Sequence, residues 1–374
     1  MQFIFDGRVI QDHFPGIGRY AYNLLREMPA HLRPEDELRV LRDSSAINTR
    51  YEWQLLIDRG IRTVEYRVPV FSLSNWMRNP SLPAGTQRDG ILHFPYYMRP
   101  WRTASPSVTT IHDVISLVYP QLVPSTQARL VIRLAHLLAI RASRAIITVS
   151  QSAANDVARY FPAARGKTHV VYEAADNIFV PQGAERIAAI RRKFELPTHF
   201  AFFLASNKPH KNLVRLVEAW HLLPSDGPPP LVIAGHTDPR YASAQARAQE
   251  LGLNERVRFM GNIPNADLPA LYSACDLFIF PSLYEGFGLP PLEAMACGAP
   301  VACSRASSLP EVVGDAAVLF DPLRPDDIAS AALRVFSNPD LQRELRARSL
   351  AQAARFTWAA AAHSTIEIYR AALV

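Results

Sequence analysis

Cysteine is nearly absent: Cys275, Cys297 and Cys303 are the only three in 374 residues. An odd count with no C-x-x-C or Cys/His spacing excludes a disulfide framework and a cysteine-based zinc site, so buried apolar thiols are the expectation. No apolar run approaches the roughly 18 residues that a spanning helix requires. The opening Met1-Gln2-Phe3-Ile4-Phe5-Asp6 lacks the basic start and longer apolar core of a signal peptide and reads as a strand, so a cytoplasmic protein is expected. Internal repeats and low-complexity tails are missing. So are a nearby Ser/His/Asp or Cys/His arrangement for hydrolysis, an Asp-x-Asp pair for a metal clamp, and any nucleic-acid-binding motif. The net charge of +6 and pI near 9.3 are diffuse and suit an anionic substrate or an acidic membrane surface rather than nucleic acid.

What is present is globular. Hydrophobic residues make up 49% and charged residues 20%, enough to give each of about two domains its own core. Short apolar runs alternate with helical patterns throughout, the mark of parallel sheets covered by helices. Strands are expected at Phe3–Phe5, Leu38–Leu41, Ile91–Phe94, Val108–Ile111, Ala145–Val149 and His169–Tyr172. In the second half they are expected at Phe200–Ala205, Leu231–Ala234, Val257–Met260, Leu277–Phe280, Val301–Cys303 and Val318–Phe320. Helices are expected at Lys211–Leu223, Asp267–Cys275 and Asp326–Phe336. The division reads as residues 1–176 and 189–356, linked by Asp176 to Ala188, with Pro181 and Gly183 in the link.

The densest chemistry lies in Glu285-Gly286-Phe287-Gly288-Leu289-Pro290-Pro291-Leu292-Glu293, between the apolar strand Leu277–Phe280 and a helical stretch stopped by Gly298 and Pro300. Backbone N–H groups and the helix dipole at such a start favour an anion. Gly286 and Gly288 allow close approach, and each glutamate offers acceptors for vicinal hydroxyls. Phosphate plus polyol points to a sugar nucleotide; the plainer reading is a structural turn with solvated glutamates.

The flanks favour the first reading. Phe280-Pro281-Ser282-Leu283-Tyr284 before this stretch, Ala294-Met295-Ala296-Cys297-Gly298-Ala299-Pro300-Val301 after it, and Ser307-Ser308-Leu309-Pro310-Glu311-Val312-Val313-Gly314-Asp315-Ala316-Ala317 beyond resemble retaining glycosyltransferases of family 4. The resemblance implies the α/β GT-B fold, two facing Rossmann-like domains with parallel sheets and a cleft between them. It implies that Glu293 holds the ribose hydroxyls, and that Glu285 holds sugar hydroxyls together with Gly286, Phe287, Gly288 and Leu289. It also implies that a final helix, residues 357–374, crosses back to the first domain; the alternative keeps that helix with the second.

Further candidates sit at predicted strand ends. Lys211, in Ala205-Ser206-Asn207-Lys208-Pro209-His210-Lys211-Asn212, resembles the family lysine that neutralises the leaving diphosphate, with Ser206 beside it. Here Ala205 replaces the family's glycine and His210 its arginine, so the second phosphate-binding cation is open, with Lys208 and Arg19 as substitutes. His112-Asp113 resembles the family pair in which the histidine contacts the transferred sugar and the aspartate orders the loop; a structural histidine is the alternative. Gly16-Ile17-Gly18-Arg19-Tyr20-Ala21 spells a dinucleotide fingerprint, with Asp43 at the place of a ribose-binding acid, so an NAD(P)-dependent oxidoreductase is an alternative. Against it, roughly ten residues, Pro15 among them, separate the strand from Gly16, where the fingerprint needs an immediate turn. The resemblance instead implies that Gly16, Gly18 and Arg19 lie beside the donor diphosphate and the acceptor, and that the backbone of Gly235, Asn262 and Ile263 meets the nucleobase. Arg129, Arg133, Arg141 and Arg144 stud an apolar stretch from Leu130 to Ile147, which reads either as a helix on an anionic membrane or as a core helix with snorkelling arginines.

The resemblance implies retaining transfer of a hexose from a nucleotide diphosphate sugar to a saccharide or lipid-linked acceptor hydroxyl, in bacterial polysaccharide or lipopolysaccharide synthesis. No metal or other cofactor is expected. GDP-mannose is favoured as donor, since Pro209-His210-Lys211-Asn212 and Gly16–Tyr20 look like bacterial mannosyltransferases. A GT-B sugar-nucleotide epimerase is a further alternative.

Overall fold

The computed structural model describes residues 1–77 and 90–373. The chain forms two compact units, Met1–Glu173 with Thr357–Val374, and Ala174–Phe356.

The first unit is built on a seven-stranded sheet: β1 (Gln2–Asp6), β2 (Glu37–Arg42), β3 (Arg62–Glu65), β4 (Gly90–Phe94), β5 (Ser107–Ile111), β6 (Ala145–Thr148) and β7 (Thr168–Val170). The order is β3-β2-β1-β4-β5-β6-β7 and every pairing is parallel. Strands β4, β5 and β6 are buried along their whole length, which is why they read as unbroken apolar or small-residue runs. Strand β3 has no counterpart in the sequence reading. It lies at the sheet edge with its terminal Arg62 and Glu65 exposed, and carries no apolar run.

The helix Trp358–Leu373 belongs to this unit. It turns Trp358, Ala362, Ile366 and Tyr369 inward, one face of a 3.6-residue period. The Tyr369 hydroxyl lies 2.5 Å from His93 Nδ1, His93 Nε2 lies 2.8 Å from Thr110 Oγ1, and Thr110 Oγ1 lies 3.0 Å from the Tyr20 hydroxyl. This buried relay stitches the helix to β4, β5 and the helix Pro15–Glu27. Burial drives His93 down to about 3, so the ring is neutral. Next to Tyr369, Arg370 reaches Asp36 at 3.0 Å, which also holds the amino terminus at 2.9 Å.

The second unit carries β8 (Ala201–Leu204), β9 (Leu231–Ala234), β10 (Val257–Gly261), β11 (Leu277–Phe280), β12 (Val301–Ser304) and β13 (Ala317–Phe320). Their order is β10-β9-β8-β11-β12-β13, again all parallel. Its core is rich in rings: Phe200, Phe202, Phe203, Phe278, Phe280, Tyr272 and Trp220 are all fully buried. In both sheets the chain direction of growth reverses once, between β1 and β4 and between β8 and β11. Ligands of open α/β sheets sit outside the strand carboxyl ends at that reversal.

Three boundaries differ from expectation. The helix Ala184–Lys193 starts inside the expected 176–188 link, and the unit boundary falls at Glu173/Ala174. The arginine-bearing helix runs Thr126–Ala142 and stops where Ser143 turns extended, so Arg144 and residues 145–147 are off it. Helix Leu213–Leu222 begins two residues late because Asn212 takes a left-handed φ of 64°.

Candidate active site

The carboxyl ends of β8 and β11 bring Lys211 and Glu285 together. Lys211 ends the short 3-10 turn Pro209–Lys211, and its Nζ lies 2.6 Å from Glu285 Oε1. Both side chains are mostly buried, 14% and 13% exposed. The same Oε1 accepts from the Ser282 hydroxyl at 2.5 Å. Ser282 Oγ also lies 3.2 Å from the His210 carbonyl, but one hydroxyl proton serves one acceptor at a time and the carboxylate is nearer.

The turn is fixed by a second serine cluster. Glu285 N donates to Ser307 Oγ at 2.8 Å, while Ser308 Oγ donates to the Phe287 carbonyl at 2.5 Å, with the Glu285 carbonyl 3.0 Å away as the alternative acceptor. Ser307 holds a φ of 48°, a conformation that costs a non-glycine residue energy and that the surrounding bonds impose. Gly288 has a φ of 125°, a conformation that favours glycine, and a Cβ there would also press on Leu309 Cδ2 at 2.8 Å. The helix after it runs Leu289–Ala296, but Pro290 and Pro291 have no N–H. Its start therefore supplies the Leu289 amide rather than a full turn of donors, fewer than the sequence suggested.

Glu293 lies on that helix and is 2% exposed. Its Oε2 accepts from the hydroxyl of Tyr272 at 3.2 Å, and Tyr272 is wedged among Phe179, Phe202 and Phe278. His210 does not replace the missing arginine cation. Burial and the neighbouring lysines push its imidazole down to about 3, so it is uncharged, whereas Lys208 is exposed. Gly235, just past β9, has a φ of 128°, and a Cβ would fall 1.9 Å from the Ala205 carbonyl oxygen. The ends of β8 and β9 thus touch backbone to backbone. Asn207 locks the loop that follows, with Nδ2 donating to the carbonyls of Asp238 at 2.9 Å and Tyr241 at 3.0 Å, and Oδ1 accepting from Asp238 N at 2.8 Å. Ser206 and Ile263 are half-buried and Asn262 exposed in the loops after β8 and β10.

The remaining candidates lie in the first unit. His112 follows β5; its Nε2 faces the Pro95 carbonyl at 3.1 Å and must carry the proton there, and Nδ1 faces Glu173 Oε1 at 3.1 Å. Tyr20 packs edge-on to the His112 ring at 4.7 Å. Asp113 Oδ1 accepts from Ile115 N at 2.9 Å and so orders the start of the next turn. Residues 7–14 intervene between β1 and the helix Pro15–Glu27, so Gly16 and Gly18 lie within that helix and not in an immediate strand-to-helix turn. A Cβ on Gly16 would meet nothing within 4 Å, whereas one on Gly18 would strike the Val9 carbonyl at 2.7 Å. Arg19 is half-buried beside them. Asp43 accepts from its own neighbour Ser45 at N and Oγ, closing a local turn. The dinucleotide geometry is absent. Sequence reasoning assigned no role to Ser282, Ser307, Tyr272 and Glu173, the residues that hold the expected site side chains. Among the described residues no group of three or more His, Cys, Asp or Glu side chains could hold a metal ion, and no helix is long and apolar enough to cross a membrane.

Residues 15–177 match the family described as Glycosyltransferase Family 4, and residues 187–352 match Glycosyl transferases group 1. The chain is 30% identical over 383 aligned residues to the O-antigen chain mannosyltransferase B of Escherichia coli, covering 99% of this chain and 100% of that one. The chain belongs to glycosyltransferase family 4. This glycosyltransferase is also 37% identical over 274 residues to the serotype-specific mannosyltransferase WbdA of Escherichia coli. That match takes in 72% of the chain but 33% of WbdA, so the chain spans about a third of that relative's length. Anabaena HepE, solved with UDP-glucose, superposes with a TM-score of 0.70 at 20% identity over 98% of each chain, which shows a shared GT-B fold of two Rossmann-like units.

Proposed function

We propose that this family 4 glycosyltransferase moves mannose from GDP-mannose to an acceptor hydroxyl with retention of configuration and without a metal, in bacterial polysaccharide or lipopolysaccharide synthesis. The observation that carries this reading is the Lys211–Glu285 pair at the reversal between β8 and β11. A lysine and an acceptor-rich carboxylate stand side by side where a diphosphate and its sugar would meet. Lys211 stabilises the departing diphosphate, as fixed charge does wherever charge develops in a transition state. Glu285 orients the sugar, Glu293 takes the ribose hydroxyls, and the backbone from Gly286 to Leu289 faces the donor. Within the first unit, Gly16, Gly18, Arg19, His112 and Asp113 are assigned donor contacts, with His112 on the transferred sugar. The nucleobase rests on the backbone of Gly235, Asn262 and Ile263. Attack comes from the face the diphosphate leaves, with a diphosphate oxygen as base, so no protein general base is assigned. The mannose preference is supported by the similarity to two mannosyltransferases of Escherichia coli, and the nucleotide sugar by the HepE complex.

Incubation with GDP-mannose and a mannoside acceptor, with product anomers read by NMR and with or without EDTA, tests this. The α product in both arms is expected. Abolition by EDTA with rescue by manganese removes the metal-free mechanism, and donor turnover without acceptor points to an epimerase. The helix Thr126–Ala142 exposes Leu130, Val131 and Leu134 beside Arg129 and Arg133, which supports peripheral membrane binding of the enzyme. Co-sedimentation with anionic but not neutral vesicles is the expected outcome.

A further inference from the structure

The carboxyl ends of β1, β3 and β4 carry a cluster of rings that the donor site does not use. Phe14 lies between β1 and the helix Pro15–Glu27, Phe71 beyond β3, and Tyr96 two residues past the end of β4. Phe14 is 7% exposed and stacks on Phe71 with centroids 5.5 Å apart and planes 23° from parallel. Tyr96 meets Phe14 edge-on at 5.9 Å and Phe71 at 6.2 Å, and His13 stands edge-on to Phe71 at 5.6 Å. Phe71 nevertheless remains 54% exposed. Phe71 thus stacks on Phe14, has the His13 and Tyr96 rings nearly perpendicular to its plane, and still leaves more than half of its surface open.

We propose that Phe71 is a stacking platform for a pyranose ring of the saccharide acceptor, with His13 as a polar rim that hydrogen-bonds ring hydroxyls. The location is the reversal between β1 and β4, the ligand position of the first unit's own sheet. The chemistry fits a sugar better than a hydrocarbon. The face of an aromatic ring is its electron-rich side and attracts the weakly positive axial C–H groups of a pyranose. The exposed His13 imidazole supplies the few convergent polar groups that a ligand site adds to an apolar floor. The platform is pre-built, because Phe14, Tyr96 and His13 fix the ring before a ligand arrives. The inference rests on the glycosyl-transfer reading for the identity of its ligand, not on any donor residue.

Saturation-transfer NMR on the full chain tests it, with methyl α-D-mannopyranoside and octyl β-D-glucopyranoside as probes and with wild type, Phe71→Ala and Phe71→Trp. An aromatic contact of this kind corresponds to about a three- to tenfold change in affinity. Saturation of the mannoside ring protons is expected in wild type and Phe71→Trp and is expected to fall by that factor in Phe71→Ala, with GDP affinity unchanged. In the transfer assay the acceptor KM should rise by a similar factor at constant donor KM. Unchanged saturation and acceptor KM in Phe71→Ala overturn the proposal, as does saturation confined to the octyl chain. Absence of GDP binding in wild type, with Phe71-dependent mannoside saturation intact, overturns the donor reading instead and leaves the platform supported.

Discussion

Lys211 Nζ and Glu285 Oε1 stand 2.6 Å apart, so the lysine proposed for the diphosphate is paired with the glutamate proposed for the sugar. Ser282 holds the same oxygen from the other side. On the proposed reading, donor binding exchanges one internal ion pair for two ligand contacts, and removing either partner of the pair affects the other.

Replacing Lys211 by alanine should cut turnover roughly a hundredfold or more, the usual effect of deleting one group that stabilises transition-state charge. Stability should fall by only about 1–2 kcal/mol, since the pair keeps some solvent access that screens the loss. Rate measurements alongside thermal melting separate the two. Wild-type turnover in Lys211→Ala makes the lysine a structural charge.

Two glycines should behave oppositely. Gly235→Ala forces a Cβ to 1.9 Å from a backbone oxygen at a φ of 128°, so the strand ends must part. A loss of more than about 3 kcal/mol is expected, readable from denaturant midpoints. Gly16→Ala meets open space inside a helix, where alanine is favoured by roughly 0.5–1 kcal/mol. A more stable Gly16→Ala with a large loss of transfer supports close donor approach at Gly16. Full activity identifies a plain helix start.

Acid should destabilise the fold early. His93, His136 and His210 are buried and depressed to about 3, 4 and 3, below the ordinary histidine range. Folded chains keep them neutral while unfolded chains protonate them near 6.5, so the unfolded state binds more protons between those values. Their contribution is complete above pH 6.5 and is lost as pH falls toward 3–4, at about 1.4 kcal/mol per pH unit for each histidine. His136 stacks on Tyr97 at 3.7 Å, so His136→Phe keeps a ring there. Urea midpoints at pH 7 and pH 5 should differ less in His136→Phe than in wild type, and an equal difference would show that His136 is not buried neutral.

The sequence alone carried most of the sheet architecture, because buried strands such as Leu231–Ala234 and Leu277–Phe280 are continuous apolar runs. It did not carry β3, whose exposed Arg62 and Glu65 sit at a sheet edge with no apolar signature. Nor did it show the helix starting at Leu213, since the delay comes from Asn212, whose side chain bridges the Pro281 and Pro322 carbonyls. Glu285 and Lys211 stand out in the sequence as candidates because of their flanking motifs. Their pairing does not, because it depends on strand order, which sets β8 beside β11 although β9 and β10 separate them in the chain. Tyr272 and Glu173 escaped for the same reason: hydrogen bonds to partners 21 and 61 residues away leave no local pattern.

The two glutamates decide the account, and calorimetric titration of Glu285→Gln and Glu293→Gln with GDP, beside the transfer assay, measures both at once. Glu293→Gln should weaken GDP about ten- to a hundredfold, the worth of one charged hydrogen bond, roughly 1.5–3 kcal/mol. Glu285→Gln should bind GDP no more weakly than wild type, because Lys211 is released from its ion pair, while transfer collapses as the sugar loses its orientation. Equal loss of GDP affinity in the two variants would contradict the placement of sugar and ribose on which the mechanism stands.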